Sequence, residues 1–247
     1  MPRYKLFIEY DGTGLVGWQR QKNGLSVQAI LETAVERYCG AEVTVHGAGR
    51  TDAGVHASGQ VAHFDLPREA DPEEIRGALN HHVRPHAVAV LVVDRAAATF
   101  HARLSARERR YRYRILNRRA PPALDRHRVW HVGPPLDLEA MQEGAGYLIG
   151  KHDFSTFRDA LCQAKSPVKT LDVLEIARAG DEIVIEARAR SFLHHQVRNM
   201  VGTLKLVGIG QWAAARIQRA LEQRDRRAGG PTAPPQGLCL MEVSYAP

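Results

Sequence analysis

Two alternating stretches, LDVLEIAR (residues 171–178) and DEIVIEARA (181–189), are separated by only Ala179 and Gly180. A two-residue connection can only fold a strand back beside itself, because a parallel neighbour needs a crossover of about a dozen residues or more. This region is therefore expected to be an antiparallel hairpin. Period-2 alternation also marks RYKLFIEY (3–10), AEVTVHG (41–47), GQVAHFDL (59–66), AVAVLVVD (87–94), RYRYRIL (110–116) and GLCLMEVSY (237–245) as strands.

Helical periodicity lies between these strands. Ser26 reads as an N-cap, Val27, Ile30, Leu31, Ala34, Val35 and Tyr38 share one face, and Gly40 supplies the stop. A short helix is expected from Pro72 to Asn80, another in DLEAMQEGAGYLIG (137–150), and a long one in SFLHHQVRNMVGTLKLVG (191–208). The expected class is α+β: two similar subdomains, residues 1–106 and 107–247, forming a largely antiparallel central sheet with helices packed on it. Two halves of similar order suggest an active cleft between them.

The chain of 247 residues carries a formal net charge of +7. Such a surplus, mostly arginine, is the electrostatic footprint of a nucleic-acid binder, although a basic surface alone has the same composition. The start, MPRYKLFIEYDG, lacks the apolar stretch of a signal peptide, and no run is long enough to cross a bilayer. No membrane partner is expected. Cys39, Cys162 and Cys239 are too few and too scattered for a disulfide framework or a zinc knuckle. A cytoplasmic location with three buried, inert thiols is expected.

Gly12, Gly14 and Gly17 in DGTGLVGWQR spell G-x-G-x-x-G after a strand. A dinucleotide site needs a helix to begin inside that motif, so that its amides meet the pyrophosphate. Here WQRQKNG intervenes, which argues against an oxidoreductase and for a loop offering Trp18, Gln19 and Arg20 to a partner. The histidine pairs His81–His82 and His194–His195 lack the i, i+4 spacing of a helical zinc site, so no metal is expected.

The stretch GAGRTDAGVHASGQ (47–60) gathers four glycines around Arg50 and Asp52. Without a lysine or a Gly-Lys-Ser/Thr ending it is no P-loop. Taken locally, Asp52 reads first as a turn residue, with a carboxylate presented to a cleft as the alternative. In RYRYRIL, Tyr111, Tyr113 and Ile115 fall on one face of a strand and Arg112 and Arg114 on the other.

The segments YDGTGLVGWQRQ, GRTDAGVHASGQVAHF, FHARLSARERRYRYRI, GKHDFSTFR, SFLHHQVRNMVG and GLCLMEV occur in this order. Together they resemble the tRNA pseudouridine synthase A family, whose members modify the anticodon stem-loop of tRNA. The resemblance spans nearly the whole chain; His194 and LNHHVRPHAVAV (79–90) depart from the family pattern. It implies isomerisation of uridine to pseudouridine at tRNA nucleotides 38, 39 and 40, by a homodimer that needs no cofactor.

The resemblance also implies roles. Asp52 is the catalytic carboxylate, attacking the sugar or the base or abstracting a sugar proton. Arg198 pairs with Asp52, Tyr111 stacks on the target uracil, Leu238 lines the base pocket, and Arg50 holds the flipped nucleotide or its phosphate. Arg20, Arg107, Arg109, Arg110 and the RDRR run at 224–227 are candidates for following the RNA backbone. The competing reading is a basic RNA-binding protein without catalysis.

Overall fold

A computed structural model describes residues 1–246. The chain forms two compact units, one of Met1–Arg107 together with the segment from Cys239 onward, the other of Glu108–Leu238.

The first unit opens with β1 (Arg3–Tyr10), followed by α1 (Val27–Cys39), β2 (His46–Gly47), β3 (His56–Asp65), α2 (Pro72–His82) and β4 (Val88–Ala96). Strand β1 lies antiparallel between β3 and β4, and its Tyr4, Leu6, Ile8 and Tyr10 are buried, as alternation requires. Helix α1 has the caps read from the sequence. The Ser26 hydroxyl accepts from the Ala29 amide at 3.2 Å, and Gly40 sits at φ 72° with its amide on the Glu36 carbonyl. Its face packs as expected, with Tyr38 at the margin bonding Glu74. Helix α2 runs two residues past the expected end and packs on α1 and β4.

The second unit carries β5 (Ala106–Leu116, its first two residues in the first unit), β6 (Trp130–His131), α3 (Leu138–Gly146), β7 (Gly150–Asp153) and β8 (Val168–Leu171). There follow β9 (Val173–Ala179), β10 (Glu182–Ala189), α4 (Gln196–Gly208) and α5 (Ala215–Gln223). The expected hairpin is β9–β10, and β10 pairs antiparallel with β5 on its other side. Strands β7 and β8 form a separate antiparallel pair. Helix α3 packs on β9 and α4. The last strand, β11 (Leu238–Tyr245), lies parallel to β3 of the first unit through Cys239 and Leu240. Both units thus carry largely antiparallel strands with helices, as the α+β expectation requires. Among the described residues no helix is long and apolar enough to cross a membrane.

Several expectations are corrected. Of AEVTVHG only His46 and Gly47 are strand, because side chains of α1 hold the preceding backbone: the Val45 amide donates to Glu32 Oε1 and Gln28 Nε2 donates to the Val45 carbonyl. Helix α4 starts at Gln196 rather than near Ser191, since His195 takes a left-handed conformation (φ 62°) ahead of it. The three cysteines are half-buried, not buried.

Behind β2 and β3, the rings of His46, His63 and His101 cluster, with His63 centroids 5.0 and 4.7 Å from the other two. His63 is 2% exposed and accepts the Ala102 amide on Nδ1. Burial, aided by the neighbouring His101, Arg3 and His46, pushes its pKa down to about 4. The unfolded chain therefore takes up this proton near pH 6.5 and the folded chain only near 4. Stability from this group is complete above about pH 6.5 and is lost as the pH falls toward 4, by up to about 3 kcal/mol. In His63→Asn an amide oxygen replaces Nδ1 as acceptor without titrating. Urea unfolding is expected to give a flatter loss of stability between pH 7 and pH 5 in this variant; parallel curves refute the assignment.

Candidate active site

Asp52 lies in the turn between β2 and β3, half-buried, with Arg50 exposed two residues earlier. The turn is closed by the Val55 amide on the Asp52 carbonyl (3.1 Å) and by Gly54 at φ 76°. It is clamped from one side by the loop after β1. The Trp18 amide donates to the Thr51 carbonyl at 3.0 Å, and the Gly54 amide donates to the Leu15 carbonyl at 3.2 Å. Gly17, at φ 98°, brings its backbone so close that a Cβ would meet the Thr51 carbonyl oxygen and lie 2.9 Å from the Asp52 carbonyl carbon. Gly12 meets Val55 in the same way. Gly12 and Gly17 of the apparent dinucleotide motif therefore allow two loops to touch. Helix α1 begins only at Val27, so no helix N-terminus opens inside that motif.

From beneath, the turn rests on buried polar side chains. The Tyr10 and Thr51 hydroxyls are 2.8 Å apart, and Gln60 Nε2 reaches both the Tyr10 hydroxyl (3.4 Å) and the Gly49 carbonyl (2.9 Å). Burial pushes the Tyr10 phenol above its ordinary pKa, so it remains a neutral donor and acceptor. Trp18 is also part of this floor, 3% exposed and packed against Gly47. That corrects the expectation that Trp18 is offered to a partner. Gln19 and Arg20 are exposed, and Arg20 pairs with Glu32 at 2.7 Å.

The other three candidates belong to the second unit. Tyr111, Tyr113 and Ile115 are buried on one face of β5, as alternation indicates, and the Tyr111 ring stands edge-on to Phe192 at 5.3 Å. On the opposite face Arg112 pairs with Glu186 and Arg114 with Glu182. Arg198 occupies the first turn of α4. Its Nε donates to the Ala233 carbonyl at 2.8 Å, and the Ala233 amide donates to the Arg198 carbonyl at 3.0 Å. The segment before β11 is fixed in turn: the Tyr113 hydroxyl donates to the Pro234 carbonyl (2.7 Å), and Gly237 lies against the Tyr113 ring. Leu238, buried, follows directly. Arg198, Tyr113 and Leu238 are thereby tied to one strap, residues 230–238.

Just ahead of α4, His195 Nδ1 is 2.8 Å from Asp159 Oδ2, and the His194 ring lies 4.0 Å from that of His195. Burial alone would raise the Asp159 pKa. The Leu161 amide and the two histidines outweigh it and hold the carboxyl below its usual range.

The sequence matches the family model described as tRNA pseudouridine synthase over residues 6–104 and 145–246. Those segments contain Arg50, Asp52, Arg198 and Leu238, but not Tyr111. The chain belongs to the tRNA pseudouridine synthase family. It is 63% identical to the tRNA pseudouridine synthase A of Paramagnetospirillum magneticum, covering 100% of this chain and 96% of that protein. The proteins of the same name from Rhodospirillum centenum and Rhodospirillum rubrum are 61% and 59% identical, covering 99% of this chain and 100% and 88% of theirs. A pseudouridine synthase is an isomerase, since uridine and pseudouridine contain the same atoms.

Within this pseudouridine synthase fold, two of the basic groups proposed to follow RNA are structural. Arg109 is 7% exposed and donates to the Arg190 carbonyl, and Arg226 braces the strap through Gly230, Thr232 and Asn199. Arg107, Arg110, Arg224 and Arg227 are not buried. Sequence reasoning missed Tyr10, Gln60 and the Ala233 strap. Only Tyr10 left a signal, as an inward position of an alternating strand whose hydroxyl needs a buried partner.

Proposed function

We propose that this chain isomerises uridine to pseudouridine in tRNA, at nucleotides 38, 39 and 40 of the anticodon stem-loop. The glycosidic bond from ribose C1′ to uracil N1 breaks, C1′ bonds to C5, and the proton lost from C5 is balanced by one gained at N1. No electrons are gained or lost overall, so the reaction calls for no redox cofactor. One ionised carboxylate suffices, in contrast to the paired acids of a hydrolytic glycosidase. That carboxylate is Asp52, acting on the sugar or the base or on a sugar proton.

The remaining roles follow the family resemblance. Arg198 pairs with Asp52 and aims its carboxylate, Tyr111 stacks on the target uracil, Leu238 provides an apolar wall, and Arg50 holds the flipped nucleotide or its phosphate. The protein works in the cytoplasm as a homodimer. Three neighbouring target nucleotides favour recognition by RNA shape and charge over base readout.

The observation that supports this reading most is the turn at Asp52, where two glycines admit the backbone that clamps it and a buried polar floor holds it. A residue that merely caps a surface turn needs no such support. The test is mass spectrometry of tRNA fragments after a pseudouridine-specific label, with and without the enzyme. Label at nucleotides 38–40 is expected only with the enzyme. Label elsewhere changes the target while keeping the chemistry, and none at all leaves an RNA-binding protein.

A further inference from the structure

We propose that Tyr10 is a positioning residue for Asp52, acting through a hydroxyl that it shares with Thr51 and Gln60. The proposal rests on Asp52 being the catalytic carboxylate. Tyr10 is the last residue of β1 and is 4% exposed; Gln60, in the middle of β3, is 0% exposed, and Thr51 is 7% exposed. Burying three polar side chains in a sheet core is costly unless each is satisfied, and apolar residues of similar size would fill the space without that demand. What distinguishes these three is where their bonds end. Gln60 holds the Gly49 carbonyl, Tyr10 holds the Thr51 hydroxyl, and the Trp18 amide holds the Thr51 carbonyl. Every one of these contacts falls on the three residues preceding Asp52.

The protons can be assigned consistently. Gln60 Nε2 has only hydrogens to give, so the Tyr10 oxygen accepts from it and its own hydrogen points to Thr51 Oγ1. Gln60 Oε1, facing the other way, accepts from the Val61 amide. In Tyr10→Phe the Thr51 hydroxyl loses its donor, and Gln60 Nε2 keeps only the Gly49 carbonyl. The Thr51 side chain is then no longer fixed, its backbone is held by the Trp18 amide without that support, and the Asp52 carboxylate shifts with it. Misplacement of a reacting group by about 1 Å costs on the order of a hundredfold in rate.

Turnover is followed as tritium released to water from tRNA carrying [5-³H]uridine, because C5 must lose its hydrogen to bond C1′. Binding is followed separately by fluorescence anisotropy of labelled tRNA. Tyr10→Phe is expected to lower kcat about 10- to 100-fold, with the tRNA Kd unchanged. Thr51→Val, which removes the hydroxyl at nearly constant volume, reproduces this loss, and Thr51→Ser restores the rate. The double variant Tyr10→Phe/Thr51→Val is no slower than Tyr10→Phe alone, since the bond that Thr51→Val breaks is already lost in Tyr10→Phe.

A wild-type kcat in Tyr10→Phe overturns the proposal. So does a loss confined to KM, or one explained by the unfolded fraction at the assay temperature. Asp52→Asn is run beside these variants. If it is inactive while Tyr10→Phe is fully active, this inference alone fails. If Asp52→Asn is active, the assignment of Asp52 fails and takes this inference with it.

Discussion

Asp52→Asn is expected to reduce pseudouridine formation by roughly 10⁴-fold or more while leaving tRNA binding intact. Asparagine keeps the shape of the side chain and is well tolerated in turns, so the backbone closed by the Val55 amide persists. What it removes is the negative charge, and with it any capacity to attack carbon or accept a proton. All three routes open to Asp52 require the ionised carboxylate, so the prediction holds whichever is followed. RNA affinity in such a protein comes mainly from cationic side chains meeting phosphates, and a lost carboxylate does not weaken that attraction. Tritium release and anisotropy on the same preparation separate the two quantities. Activity above a few per cent of wild type would remove Asp52 from the chemistry. Weakened binding in step with activity would recast it as a structural residue.

The parts of the fold legible in the sequence are those whose causes are local. Alternation located β1 and the β9–β10 hairpin, and Ser26 and Gly40 marked the ends of α1 because capping is a contact within one turn. Where distant side chains intervene, local pattern fails. The stretch before β2 alternates like a strand, yet Gln28 and Glu32 from α1 take the backbone groups that a neighbouring strand would have used. Helix α5 was missed although Ile217, Ala220 and Leu221 have helical spacing, since Ala214 ahead of it offers no side-chain cap. The parallel pairing of β11 with β3 joins residues far apart in sequence, for which no nearby residue carries a signal.

The candidate site divides along the same line. Asp52 was ambiguous in its own segment and became a candidate catalyst only through resemblance to a family. Its physical support lies elsewhere, in Tyr10 and Gln60, which read as ordinary strand residues, and in Trp18, which reads as a residue offered to a partner. Trp18 misled most, because a tryptophan in a glycine-rich loop reads as exposed until Gly47 is found beneath it. The G-x-G-x-x-G pattern misled differently. Gly12 and Gly17 do serve close approach, but to another loop of the same unit rather than to a pyrophosphate.

That difference makes Gly17→Ala the second large effect. Gly17 combines a left-handed backbone (φ 98°) with the backbone of one neighbouring segment against the missing Cβ: the Thr51 carbonyl oxygen, the Asp52 carbonyl carbon at 2.9 Å and the Ala53 amide nitrogen at 3.1 Å. A methyl group there cannot rotate away, so either loop must shift. The left-handed strain costs about 1–2 kcal/mol and the forced displacement about 1–3 more, giving a destabilisation of about 2–5 kcal/mol. Because the displaced backbone is that of Thr51 and Asp52, the carboxylate moves too, and kcat of the molecules that remain folded is expected to fall by about a hundredfold. Gly14 supplies the comparison: it is also left-handed (φ 76°), but a Cβ there would have nothing within 4 Å. Gly14→Ala therefore carries only the left-handed conformational cost of about 1–2 kcal/mol and keeps its turnover. Urea unfolding and tritium release on both variants distinguish contact from flexibility. Equal losses in the two would mean that the loop needs glycine for its own bending and that its contact with Asp52 is incidental. A loss of kcat confined to Gly17→Ala means that the motif's function is to let Asp52 be held.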